Sequence, residues 1–289
     1  FRDSQGKAHC LSNTCTHRGG ALAGGKIVGD NMQCPYHGWQ FNGEGQCLKI
    51  PSLGKDASIP GRTRIDAYPV DERYGLVFAF LGDLAEDERP PILAVKEWDQ
   101  QGWRCTLQHF AIKGYYRPGE GTLEAGTGFF GTNQVWTYIH PAPNYLIHQY
   151  LYERPIDDEN TQLYLVCARN FALEEKSDAY VMERNQYVAN QDVKIIENLH
   201  PRVTPQTNTK EFMVPSDQCI LMYREKQKEW AQKGWRIDWD ALKRNEHRVA
   251  YAIPSPARRQ HKGWVLDPVP TVPPEQAPAQ LAKSERLAG

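Results

Sequence analysis

Two short segments near the start of the chain each carry a cysteine and a histidine in nearly the same pattern. Cys15-Thr16-His17 comes first, and Cys34-Pro35-Tyr36-His37 follows after residues 18–33. Two thiolates and two neutral imidazoles suit either a tetrahedral zinc ion or a [2Fe–2S] cluster that carries two histidines on one iron. Glycines follow both segments, and a glycine lets the backbone approach a bulky group closely and turn its N–H groups toward it.

The distribution of the four side chains favours the cluster over zinc. Zinc sites usually draw their cysteines from one short knuckle and their histidines from a separate stretch. Here each segment supplies one cysteine and one histidine, so both segments reach both irons. We therefore predict that Cys15 and Cys34 hold one iron and that His17 and His37 hold the other.

A family resemblance lies in these segments and the residues after them. Cys15-Thr16-His17-Arg18-Gly19-Gly20 and Cys34-Pro35-Tyr36-His37-Gly38-Trp39 resemble the α (terminal oxygenase) subunits of Rieske non-haem iron oxygenases, the ring-hydroxylating oxygenase family. Tyr68-Pro69-Val70 and Gly75-Leu76-Val77-Phe78 are similar to the strands that close the family's Rieske domain. The resemblance is strong over residues 1–80 and weak beyond them.

The resemblance implies a mono- or dioxygenase that depends on NADH through a separate reductase. Its electrons come from a ferredoxin, a flavin reductase or both, and pass through the Rieske [2Fe–2S] cluster to a mononuclear non-haem Fe(II). That iron activates O₂ to hydroxylate or demethylate a small organic substrate, which we expect to be aromatic. The family also forms homotrimers.

One carboxylate is a candidate ligand for the mononuclear iron, which the family binds through two histidines and one acid. At about 100° per helical residue, Asp192 falls in one stripe with Val181, Val188, Ile195 and Leu199. A carboxylate in an apolar stripe is costly unless a cation meets it. The cation is iron on the family interpretation, and a buried Arg or Lys on the purely structural one.

The two histidine ligands are missing from the sequence. The family's Asn-x-x-Asp-x-x-His-x₄-His helix has no counterpart here, so the ligands and the acid that bridges the two metal sites stay unassigned. We expect omitted residues after Phe110, near His109, and another join near residues 121–128. Because the chain starts at Phe1 within an apparent hairpin, we also expect residues upstream. The alternative is a true deletion in a protein without oxygenase activity.

The remaining histidines offer weaker candidates. His140 and His148 lie in strand context and are expected in the core or lining a pocket, and His200 follows Asp192 but precedes Pro201. Several aromatic side chains are expected in the core or around an apolar pocket: Phe129, Phe130, Trp136, Tyr138 and Tyr145.

The elements that position these residues indicate an α+β fold. We predict a small antiparallel β Rieske domain over residues 1–85 and a catalytic mononuclear-iron domain over residues 86–252, with a Pro-rich C-terminal tail over residues 253–289. The second domain should hold a helix-grip-like antiparallel sheet with helices after it. Its predicted strands are Gln134–Ile139, Tyr145–Tyr152 and Gln162–Phe171, and its predicted helices are Ser177–Leu199 and Ser216–Lys233.

Composition removes several classes of function. The 34 Lys and Arg residues balance 35 Asp and Glu residues. The chain therefore has no net positive charge to drive binding to nucleic acid or to a membrane surface. No run of about 18 apolar residues predicts a membrane span. Seven cysteines in 289 residues do not resemble a secreted disulfide framework, which favours a metal site in a cytoplasmic protein.

Two other classes of function compete with the oxygenase. A Rieske electron carrier needs only one small domain, which leaves the second region unexplained, and a degenerate oxygenase subunit would lack the mononuclear iron. A zinc-stabilised binding module would lack the visible absorption of an iron–sulfur cluster.

Overall fold

The computed structural model describes residues 1–54, 57–113, 124–157, 159–200 and 211–274. The backbone divides into two units. Unit 1 combines Phe1–Pro90 with Gly234–Pro273, and unit 2 is built on Pro91–Lys233. The structure thus divides the chain differently from the boundaries expected from sequence, because residues 234–273 return to the first unit.

The N-terminal part of unit 1 is built from short antiparallel strands joined by glycine-rich turns. The strands are β1 Cys10–Leu11, β2 Lys26–Val28, β3 Asn31–Gln33, β4 Gln40–Phe41, β5 Cys47–Lys49, β6 Ala67–Tyr68, β7 Val70–Arg73 and β8 Leu76–Ala79. Four of them form one sheet in the order β2-β3-β4-β5, and two further pairs are β1 with β6 and β7 with β8. A tight turn at residues 42–46 joins β4 to β5, with Gly45 at φ +77°.

The C-terminal part of unit 1 is fixed to the N-terminal part by a buried ion pair. Asp66 is fully buried and accepts two hydrogen bonds of 2.8 Å from the Arg258 guanidinium and one from the Ser255 N–H. The Tyr68 hydroxyl donates to the carbonyl of Ile253. Residues 253–273 are therefore not only an extended tail, because these contacts make them part of the unit. The whole C-terminal part of unit 1, Gly234–Pro273, contains α3 Trp239–Arg244, β14 Tyr251–Ala252, α4 Ala257–Gln260 and β15 Asp267–Pro268.

Unit 2 contains a five-stranded antiparallel sheet. Its strands are β9 Arg104–Lys113, β10 Glu124–Phe130, β11 Gln134–Ala142, β12 Tyr145–Pro155 and β13 Asn160–Arg169. They lie in the order β10-β11-β12-β13-β9. The strands predicted from alternation are confirmed as β11, β12 and β13. Strand β9 runs through Phe110 and Ala111, which pair with Leu163 and Gln162, so the break expected there is absent. Residues 121–123 of the second suspected join lie outside the described residues.

Two helices follow the sheet, as predicted. They are α1 Asp178–Ile196 and α2 Gln218–Gln232. The N-terminus of α1 is tied to the sheet because Asp178 binds both Arg104 of β9 and the fully buried Arg169 of β13. The order of an antiparallel sheet followed by helices confirms the α+β fold class.

The apolar face of α1 differs from the predicted stripe. Val188 and Ile195 are 45% and 64% exposed. The residues that pack into the sheet core are Val181, Ala189, Val193 and Ile196. Periodicity predicted the helix correctly, but the sheet covers a sector rotated away from the one expected. The stripe expected to bury Asp192 therefore lies at the partly solvated edge of the α1 face that packs on the sheet.

Candidate functional site

The two Cys–His segments form loops with the same backbone pattern. In each loop the cysteine N–H donates to the carbonyl five residues on, at 2.9 Å from Cys15 and 2.8 Å from Cys34. The N–H groups of Gly19 and Gly38 donate back to those cysteine carbonyls at 2.9 and 3.1 Å. Both glycines have φ near +70°, a conformation that glycine adopts without steric cost. The repeated loop explains why the sequence spacing is so nearly the same in both segments.

The two predicted cysteine ligands are buried together. Cys15 is 1% exposed and Cys34 is 2% exposed, and both belong to a core cluster that includes Phe41 and Ile65. Burial, together with the neighbouring Cys34 thiol, raises the pKa of Cys15 to about 12. Coordinated iron overcomes this cost because a metal ion stabilises the bound thiolate.

The two predicted histidine ligands lie against each other. Their ring centroids are 4.6 Å apart with planes at 62°. His17 also stacks on Trp39, and its Nδ1 is buried without a hydrogen-bond partner among the described residues. Buried polar nitrogens are normally hydrogen-bonded. A bound iron at Nδ1 would account for this one.

Close packing around the cysteines explains why residue 20 is also a glycine. A Cβ added to Gly20 would lie 3.1 Å from the Cys34 Sγ and 3.3 Å from the Tyr36 Cβ. The Thr16 hydroxyl is buried beside Cys15 and also lacks a partner in the described part of the chain. Both features fit a site that is filled by a bulky inorganic group.

The donor set therefore fits a [2Fe–2S] cluster. Cys15 and Cys34 would hold one iron, and His17 and His37 would hold the other. Across the described residues, no group of three or more His, Cys, Asp or Glu side chains is arranged to hold a metal ion. A cluster with two protein ligands on each iron does not require such a group.

Asp192, the predicted carboxylate ligand of the second iron, lies at the partly solvated edge of the α1 face that packs on the sheet. Asp192 is exposed and has no ion-pair partner in the described ranges, so a buried Arg or Lys does not explain it. Partial burial nevertheless raises its pKa. Viewed down the axis of α1, Asp192 and Asn185 point in directions about 20° apart. The Asn185 side chain hydrogen-bonds to Gln108 and Gln149 of the sheet. Asp192 thus combines accessibility with a position beside the sheet.

The histidines do not complete a second metal site around Asp192. His109 lies in β9, paired with Tyr164, and His200 is exposed beyond the end of α1. His148 donates to, or accepts a proton from, Glu97 at 2.8 Å. The described residues therefore do not fit a mononuclear iron held by two histidines and one acid, and Asp192 stays a prediction.

Sequence reasoning missed one polar cluster on the opposite face of the sheet. Glu97 is 5% exposed and bonds both His148 and Tyr150. Strand alternation could have placed His148 and Tyr150 on one face. Nothing in the sequence could have located Glu97, because it precedes the sheet in a segment without regular structure.

The aromatic side chains considered as a pocket divide between the two sheet faces. Phe129 packs on Tyr223 of α2. Trp136 and Tyr138 contact each other on the face that carries His148. They therefore do not line a single pocket.

Two family models match the chain. Residues 1–69 match the Rieske [2Fe–2S] domain, and residues 122–233 match the vanillate O-demethylase oxygenase C-terminal domain.

Curated relatives match over only part of the chain. The 4β-methylsterol monooxygenase of Methylococcus capsulatus is 39% identical over 98 residues, which is 34% of this chain and 27% of that protein. The toluene-4-sulfonate monooxygenase system iron-sulfur subunit TsaM1 of Comamonas testosteroni is 39% identical over 117 residues, 40% of this chain and 33% of that protein. The matches thus span a third or less of these relatives.

Solved structures match over more of the chain. NdmA of Pseudomonas putida CBB5 superposes with a TM-score of 0.63 at 20% identity, covering 77% of this chain and 79% of NdmA. Dicamba monooxygenase superposes with a TM-score of 0.63 at 16% identity, covering 79% of this chain and 87% of that structure. At this identity the likeness concerns the fold.

Proposed function

We propose that this chain is a terminal oxygenase. It joins a Rieske [2Fe–2S] domain to an oxygenase C-terminal domain, as the α subunits of Rieske non-haem iron oxygenases do. It would pass electrons from the cluster to a mononuclear non-haem iron that activates O₂. The observation that carries the proposal is the paired loop, which supplies two buried thiols and two adjacent imidazoles within one chain that also has the sheet-and-helix unit.

The cluster, when bound, supplies one-electron transfer. The residues of this chain fix its ligands and exclude water from the sulfur side. Cys15 and Cys34 stay dry within the core, and Trp39 holds the plane of the His17 ring. His37 is exposed, so electrons have a short way in from the protein surface.

The substrate of this chain is a small organic molecule, and we favour an aromatic one. The support is the names of relatives and structural neighbours, which include a toluene-4-sulfonate monooxygenase, a phenoxybenzoate dioxygenase and dicamba monooxygenase. The reaction is hydroxylation or demethylation, since the C-terminal family is that of vanillate O-demethylase oxygenases.

The electron donor is a separate protein, a ferredoxin or a flavin reductase that draws on NADH. Relatives carry names such as oxygenase component and iron-sulfur subunit of a system, which supports a division of labour between chains. We propose a homotrimer located in the cytoplasm. No helix in the described ranges is both long enough and apolar enough to cross a bilayer.

Iron and acid-labile sulfide, measured together on purified protein, test the proposal. A terminal oxygenase holds one iron atom more than its cluster requires, so iron should exceed sulfide by one atom per chain. Equal iron and sulfide would instead indicate a Rieske electron carrier or a degenerate subunit, which the incomplete second site in the described residues would then explain.

A further inference from the structure

An open groove lies beside the second Cys–His loop, within unit 1. Its volume is about 430 Å³, and its lining includes residues of β3, β4 and β5 and the short 3₁₀ turn Pro51–Leu53. Leu48 and Leu53 line it and are 52% and 50% exposed, and Pro51, between them in the sequence, is exposed as well. Single exposed apolar side chains are common, but a contiguous apolar patch with a polar rim marks an interaction site.

The groove adjoins the loop that supplies Cys34 and His37. Pro51 packs against that loop, since a Cβ added to Gly38 would lie 3.2 Å from the Pro51 Cγ. His37 is exposed next to this glycine. The Tyr36 side chain is 61% exposed, and its ring centroid lies 3.8 Å from that of His37. The apolar surface therefore reaches the exposed histidine of the proposed cluster ligands.

Three exposed cations flank the two loops and the groove. Arg18 follows His17 in the first loop, and Lys49 lines the groove. Lys26 pairs with Gln33, the residue directly before the second loop. None of the three cations forms an ion pair in the part of the chain that the structure describes. Their charges therefore remain available to a partner.

The two acids of the same hairpins lie at the ends remote from the second loop. Asp30 occupies the turn between β2 and β3, where its carboxylate accepts a hydrogen bond of 2.7 Å from the Ser4 N–H. Glu44 occupies the turn between β4 and β5. The second loop instead joins β3 to β4 at the opposite ends of both hairpins. Among the described residues of these hairpins, the charge next to the loop is therefore positive.

We propose that this groove, together with Tyr36 and the three cations, is the docking surface for the protein that delivers electrons to the cluster. The donor that fits it presents an acidic face around its own redox centre. The proposal rests on the proposed function, which assigns electron delivery to a separate protein. His37 is the point of entry, because it is the exposed proposed ligand beside the groove.

An apolar centre with a charged rim suits a transient redox encounter. Such interfaces are small, below about 1,200 Å² in total, and opposite charges raise the rate at which the partners meet. The step itself moves one electron. The donor is oxidised by one electron, the cluster is reduced by one, and no bond forms or breaks.

The experiment measures electron transfer to the full chain with its cluster bound and oxidised. The probe is a reduced plant-type [2Fe–2S] ferredoxin, an acidic protein whose reduction potential lies below that of Rieske centres. Rapid freezing and electron paramagnetic resonance distinguish the two reduced clusters and give the second-order rate constant. We expect Leu53→Asp to lower it about tenfold or more, because a carboxylate opposes burial and repels the acidic face. Leu48→Asp repeats this test within the same groove.

The rim charge is tested separately by Lys49→Glu. This variant should be several-fold slower at low ionic strength, and the difference should shrink as salt screens the charges. The matched control is Val77→Asp, since Val77 is an apolar side chain of β8 in the same unit, is 51% exposed and does not line the groove. It should react at the native rate. Dithionite, a small reductant, should reduce the cluster equally fast in every variant.

Native rates with ferredoxin in the Leu53→Asp, Leu48→Asp and Lys49→Glu proteins would overturn the inference, as would an equal loss in Val77→Asp. An equal loss with dithionite would also overturn it, because the substitutions would then act on the cluster itself. A changed sedimentation coefficient of Leu53→Asp with an unchanged ferredoxin rate would assign the groove to contact between copies of the chain. The measurement needs only the cluster, whereas iron in excess of sulfide tests the proposed function, so the two failures are distinguishable.

Discussion

The indole of Trp39 lies flat against the imidazole of His17, with ring centroids 4.5 Å apart and planes 6° from parallel. Trp39 closes one Cys–His loop, whereas His17 belongs to the other. The stack therefore joins the two loops through a side chain that is not among the four proposed ligands.

Replacing Trp39 with leucine should loosen the His17 ring and speed loss of the cluster. Aromatic stacking contributes about 0.5–1.5 kcal/mol, so a ferrous chelator should bleach the visible absorbance about two- to tenfold faster. Trp39→Phe retains a stacked ring and should behave like the native protein. Equal bleaching rates for the native and Trp39→Leu proteins would contradict this role.

Replacing Gly20 with alanine should lower cluster content while leaving the fold intact. The new Cβ would press on the Cys34 Sγ at 3.1 Å. The measurement is iron and sulfide per chain, with circular dichroism to check folding. Gly61→Ala is the control because a Cβ there meets nothing within 4 Å. The steric argument fails if Gly20→Ala fills with cluster as well as Gly61→Ala.

Replacing Arg258 with alanine should destabilise unit 1 strongly. It would leave the fully buried Asp66 without its cation, and breaking such a pair costs about 3–5 kcal/mol. Arg259→Ala removes the neighbouring exposed pair with Glu88 and should cost about 0–1 kcal/mol. Urea unfolding followed by visible absorbance measures both, and similar midpoints for the two variants would refute the distinction.

Replacing Asp178 with asparagine should reduce stability at neutral pH. The Arg104 guanidinium, together with Arg169, lowers the pKa of Asp178 from 3.8 to about 2. A carboxylate with a depressed pKa stabilises the fold above its unfolded pKa, and this contribution disappears as pH falls through the folded value. The difference from the native protein should therefore shrink between pH 3.8 and about 2.

Thermal unfolding of the Asp178→Asn protein over that pH range provides the check. The exposed Glu174→Gln is the control at the start of the same helix and should show no such pH dependence. A native-to-variant difference that stayed constant down to pH 2 would rule out the ion pair as its source.

Replacing Asp192 with asparagine should remove the iron that exceeds acid-labile sulfide while leaving the cluster spectrum unchanged. The reason is that an amide is a weaker iron ligand than a carboxylate. Glu183→Gln, on the solvated face of the same helix, should retain that iron. If excess iron survives in Asp192→Asn, Asp192 is not a ligand.

The two Cys–His loops could be predicted from sequence because each is a compact segment whose own hydrogen bonds fix it. The resemblance to the α subunits of Rieske oxygenases rested on those loops and is confirmed by the two family models. The strands β11, β12 and β13 could also be predicted, because the alternation of apolar and polar residues along a strand is a local feature of the sequence.

Features that depend on distant parts of the chain could not be predicted. Helical periodicity located α1, but which sector the sheet covers depends on how the helix leaves β13, so Val188 and Ile195 were assigned wrongly. The partners Asp66 and Arg258 lie 192 positions apart, and no local pattern connects them.

That separation has a consequence for biosynthesis. At about 5–20 residues per second, Arg258 leaves the ribosome roughly 10–40 s after Asp66. During that interval the nascent iron–sulfur unit holds a carboxylate whose burial has no matching cation. A cluster inserted on the ribosome would therefore enter a unit in which Asp66 still lacks Arg258. Maturation machinery that acts on the released polypeptide would find the Asp66–Arg258 pair already formed.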